Sequence, residues 1–149
     1  MNKILKSLAL ICTLTISLPA LATDAIYTSF FNNQAAGGYD VVAYFTDDAA
    51  VKGSNKFKSE HLGADFHFAS LAHKTTFDAD PAHYAPQYGG HCAYAVSQGY
   101  TASGDPEQWT IVDDKLYLNY NKDVLTTWRT DTAGFIKLAD QNWPGLLAE

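Results

Sequence analysis

A small single α+β domain is the fold this sequence predicts, and three observations carry it. Two stretches alternate like hairpins, several short segments carry helix start and stop signals, and no strand–helix–strand alternation builds a parallel sheet. The 149 residues carry a formal net charge of -6 and only two cysteines, Cys12 and Cys92.

The amino-terminal residues 1–22 read as a cleavable signal peptide. Lys3 and Lys6 form a positive front, Leu8 to Leu18 is nearly all apolar, and Ala20-Leu21-Ala22 offers the small-x-small cleavage pattern. The apolar run is shorter than the roughly 20 residues a spanning helix needs. Cleavage after Ala22 would remove Lys3, Lys6 and Cys12, leaving 8 basic against 16 acidic residues and Cys92 as the sole thiol. Export to the periplasm, or full secretion, follows. An acidic chain of this kind excludes nucleic acid and anionic membrane surfaces, which select basic patches.

Residues 23–38 read as an irregular lead-in closed by Gly37-Gly38, with the domain proper over 39–149. Val41 to Phe45 is an apolar run that suits either a strand or a short buried helix. Phe57 to Phe68 reads as a hairpin turning at Leu62-Gly63. In that register Phe57, Ser59, Ala64, Phe66 and Phe68 share one face, while Lys58, Glu60, Asp65 and His67 point outward. Ser70 is placed to cap a helix through Phe77, and Asp80-Pro81 to cap and start the next turn. His91 to Gln98 reads as a short helix stopped by Gly99. Asp105-Pro106 repeats the cap-plus-proline signature. Trp109–Val112 and Leu116–Asn119 read as strands joined at Asp113-Asp114-Lys115. The tail is helical, with Val124, Leu125 and Trp128 on one face and Phe135, Ile136, Ala139 and Trp143 on another, ending at Pro144-Gly145.

Cys92 is the first chemical candidate. A cysteine in the first turn of a helix meets free N–H groups and the positive dipole end, which favour a thiolate. Thiolate and imidazole together suit copper or zinc, and His91 abuts Cys92. His73 lies four residues before Phe77, on the apolar side of its helix, and so faces inward. His67 belongs to the outward hairpin face. Asp40 is placed to bond neighbouring backbone in a turn. There is no G-x-S-x-G elbow, phosphate-cradling glycine loop or H-E-x-x-H motif, so the sequence gives an enzyme reading little support.

Gly38-Tyr39-Asp40-Val41-Val42-Ala43-Tyr44-Phe45, Phe66-His67-Phe68-Ala69-Ser70, Asp80 to Tyr94, Asp113 to Asn119 and Asn142-Trp143-Pro144 together resemble the exported bacterial branch of the YHS-domain family. That family is related to TRASH-like metal-binding modules and is often fused to, or encoded near, heavy-metal transport systems. Its cysteine-bearing relatives read F-C-S-x-x-C-x-x-x-F where this chain has Phe68-Ala69-Ser70-Leu71-Ala72-His73-Lys74-Thr75-Thr76-Phe77. Ala69 cannot bind metal, whereas His73 can. The exported branch carries the element matched by Tyr88 to Tyr94, which contains Cys92.

The expectation is therefore an exported module that binds or handles copper or zinc, with Cys92 as anchor and His91, His73 or His67 beside it. A metal ion or metal-transport proteins would be its partners. Two rivals stand: a passive protein- or ligand-binding domain in which Cys92 is merely buried, and a redox protein using the Cys92 thiol with a partner thiol.

Overall fold

The computed structural model describes residues 23–148, and the expected signal peptide over 1–22 lies outside them. Two antiparallel hairpins, each its own two-stranded sheet, set the frame of an α+β domain. Strand β1 (Ser54–His61) pairs with β2 (Ala64–Phe68), with Ser59 opposite Phe66 and Lys58 opposite His67. Leu62 and Gly63 both take positive φ, the conformation of a tight two-residue turn whose twist matches the strands. The faces therefore fall as the alternation requires. Strand β3 (Asp105–Val112) pairs with β4 (Lys115–Asn119) through a turn in which Asp113 and Asp114 are both left-handed.

Strand β4 stands between two cores, because alternate side chains leave opposite faces of a strand. Leu116 and Leu118 join the first core, with Phe66 and Phe68 of β2, Phe77, Val41, Val42 and Tyr44. Tyr117 joins the second, with Tyr88, Val96, Trp128 and Ala139. Asn119, fully buried, ends the strand.

The Val41–Phe45 run resolves into a short helix, α1 (Ala43–Thr46), entered through an Asp40 turn. Ser70 accepts a hydrogen bond from His73 N at 3.1 Å and opens α2 (Leu71–Ala79). Asp80 does the same for α3 (Pro81–Tyr84), accepting from His83 N. Each such cap stabilises its helix by about 1 kcal/mol. Helix α4 (Ala93–Ser97), α5 (Lys122–Trp128) and α6 (Thr132–Ala148) enclose the second core.

Four features differ from the expectations. The lead-in is irregular yet belongs to the fold: Ile26, Ala35 and Ala36 are buried in the first core, and Ala35 N donates to Asp65 O. The Asp105-Pro106 signature starts a strand, not a helix. Asp105 Oδ1 accepts from Glu107 N, a local turn that produces an irregularity in β3 before Trp109. Helix α6 continues past Pro144 to Ala148, because Leu146 beyond the proline is buried in the second core. The outward assignment of His67 is also corrected. His67 is only 8 % exposed, since Lys52-Gly53 crosses over it so closely that a Cβ on Gly53 would overlap the His67 carbonyl.

Candidate functional site

The four expected metal ligands do not converge. Among the described residues no group of three or more His, Cys, Asp or Glu side chains is placed to hold a metal ion. Each candidate instead has its own surroundings, and two of them form sites of chemical interest.

Cys92 is buried and immediately precedes α4. Its N–H donates to Ala102 O, and its side chain makes no cap hydrogen bond to the helix. The cap comes from Asn119, whose Oδ1 accepts from Tyr94 N at 3.1 Å. The Cys92 thiol donates to the same Oδ1 at 3.6 Å. The expectation of a thiolate facing free helix N–H groups is thereby corrected: a carboxamide 27 residues away in sequence occupies that position. Cys92 also lines a pocket of about 200 Å³ whose walls include Tyr94, Tyr100, Tyr120 and Val124. Asn119 Nδ2, behind the thiol, is buried without a partner.

His91 points away from that pocket. Its Nε2 lies 3.2 Å from Asp24 O, and its ring packs against Tyr27 and Trp143. Desolvation holds its pKa below the ordinary 6.5, with the Asp24 carbonyl and charge opposing. The unfolded chain therefore takes up this proton at a higher pH than the folded one. The contribution is full above 6.5 and is lost as pH falls below it. The urea midpoint should accordingly drop between about pH 7.5 and about pH 5.5, and His91→Gln should flatten that drop. An unchanged pH profile in the variant would refute the assignment.

His73 belongs to a polar network built on one buried carboxylate. Its Nδ1 lies 2.7 Å from Asp40 Oδ2. The Asp40 carboxylate is fully buried: Oδ1 accepts from Val42 N and Ala43 N, and Oδ2 also accepts from Ala69 N. With Nδ1 donating to Asp40, a neutral ring presents Nε2 as a lone pair. The nearest group, Thr46 Oγ1, is 3.4 Å from Nε2. That hydroxyl has one proton and shorter contacts to Asp47 Oδ1 at 2.9 Å and Val42 O at 3.2 Å. Nε2 is left the least satisfied of the three. The His73 side chain is 19 % exposed, and the Thr46 hydroxyl that faces Nε2 is bonded to the exposed Asp47.

His67 has the hairpin role described above. His61 packs on Phe66 and Phe77, and His83 lies against Phe45 and 3.4 Å from Asp114. The sequence pointed to His73 through helix periodicity, and to Asp40 only as a turn residue. That the two meet could not be read from either segment alone. Asn119 was missed altogether, having no local signal except its place at the end of a strand.

Comparison with protein-family models, curated proteins and solved structures found no match to this chain.

Proposed function

We propose that this is an exported metal-binding domain that takes up zinc or copper at His73 Nε2, with the Asp47 carboxylate beside it. The observation that carries the proposal is the 2.7 Å contact between His73 Nδ1 and the buried Asp40. A carboxylate on one ring nitrogen fixes the tautomer, orients the ring and makes the other nitrogen a better ligand. Imidazole and carboxylate together suit borderline ions such as zinc and copper(II). The resemblance to YHS domains supports the same residue, since His73 stands where the cysteine-bearing relatives have their second cysteine. Export to the periplasm or beyond, and metal-transport proteins as partners, belong to this proposal.

A second reading is favoured by the pocket at Cys92. A cysteine lining a space of about 200 Å³ with three tyrosines suits a small ligand or a soft ion such as copper(I). One experiment separates the two. The domain from Thr23 onward is titrated with zinc, copper(II) and, under reductant, copper(I) against a chromophoric chelator. The wild type should bind one ion, and His73→Gln should lose roughly 10-fold or more in affinity while Cys92→Ser retains it. Affinity lost in Cys92→Ser and kept in His73→Gln would move the site to the pocket. No binding by the wild type would end both metal readings.

A further inference from the structure

The amino-terminal segment carries a feature the metal proposal does not use. Phe30 and Phe31 are 96 % and 93 % exposed, and their rings pack edge to face 5.4 Å apart. A folded domain rarely leaves two adjacent aromatics so fully in water. They stand at the tip of a closed loop. Thr28 and Ala35 bridge its base, and Asn32 N donates to Ser29 O across the turn. The loop is fixed to the first hairpin, with Asp65 N donating to Asn33 O and Asn33 Nδ2 donating to Gly63 O at 2.7 Å. Leu62, 66 % exposed, belongs to the hairpin turn at this same attachment.

We propose that this tip is a membrane-contacting element that seats Phe30, Phe31 and Leu62 in the interface of an uncharged bilayer. Two observations select a lipid surface as the occupant. Phe30 and Phe31 project almost wholly into solvent, so they fit a plane that yields, whereas an apolar groove would await a peptide. The run from Ala25 to Tyr39 contains no charged residue, in a chain with 16 acidic and 10 basic ones, so Phe30 and Phe31 can enter the interface without stripping water from an ion on their own loop. The acidic remainder of the domain opposes anionic lipid, so the surface in question is zwitterionic. Three side chains without a basic patch give reversible attachment, weaker than a two-signal anchor.

The test is flotation of the domain from Thr23 onward with phosphatidylcholine vesicles, compared with the Phe30→Ser/Phe31→Ser double variant. Both side chains are exposed, so the variant keeps the fold, which circular dichroism verifies. The wild type should float with the vesicles, with little dependence on salt, and the variant should partition at least ~10-fold less. A Phe30→Trp variant gives a second readout, its emission shifting to the blue and becoming quenched by brominated lipid. Equal flotation of wild type and double variant, no flotation of either, or binding confined to anionic vesicles would overturn the proposal. Sedimentation showing a dimer that the double variant abolishes, without vesicle binding, would assign the tip to a second copy instead.

Discussion

Replacing Asp40 with alanine should cost at least ~4 kcal/mol, enough to unfold much of the population of a domain of ordinary marginal stability. The magnitude follows from the donors left behind. Val42 N, Ala43 N, Ala69 N and His73 Nδ1 all deliver hydrogen bonds to one buried carboxylate. Each buried donor without a partner costs about 1–3 kcal/mol, and Asp40 is fully buried. Asn is the informative intermediate. Its oxygen can keep the two α1 amides, while its NH₂ faces two donors, one of which, the His73 ring, can change tautomer. Asp40→Asn should therefore cost less than alanine while still losing the Ala69 bond. Urea unfolding followed by tryptophan fluorescence measures both, and a loss below ~1 kcal/mol for alanine would show that the network contributes little.

The second large effect is expected at Gly89. It has φ +61, and a Cβ there would overlap the Ala25 carbonyl oxygen while lying 2.9 Å from Ile26 Cα. Both close neighbours are backbone, so neither can rotate aside. The left-handed conformation alone costs a non-glycine residue about 1–2 kcal/mol. Gly63 isolates that part, because its φ is +81 and nothing lies within 4 Å of a Cβ there. Gly63→Ala should lose only the conformational share, while Gly89→Ala should lose ~3 kcal/mol or more and release the segment around Ala25. Hydrogen exchange at Tyr27 reads the release directly, since Tyr27 N donates to Gly89 O. Retained protection at Tyr27 together with equal stability losses in the two variants would contradict this account.

The sequence was most readable where one short stretch satisfies itself. Ser70 and Asp80 cap their helices through amides three residues on, and the Leu62-Gly63 turn with its alternating flanks specified the hairpin register. Such interactions depend only on local spacing. Legibility ended where distant segments meet. Asp105-Pro106 has the composition of a helix start, but pairing with Asn119 draws it into a strand. Pro144-Gly145 has the composition of a helix stop, but burial of Leu146 carries the helix through. The candidate sites show the same division. His73 could be placed on the inward side of α2, whereas its partner lies 33 residues earlier and its meeting with Asp40 depends on how α1 packs. Cys92 could be singled out, but not the Asn119 carboxamide that occupies the helix start in its stead.

The docking of the amino-terminal segment also sets an order of events. Asp24 O approaches the His91 ring across 67 residues of chain, and Tyr27 is tied to Gly89 over nearly as long a span. A polypeptide made or threaded amino-terminus first presents the Asp24–Tyr27 strip early, and the His91 seat of Asp24 arrives only 67 residues later. Contacts of high sequence separation must absorb loop-closure entropy before they repay it. The hairpins and capped helices can form as they emerge, while the first residues wait for the late closure that completes the fold.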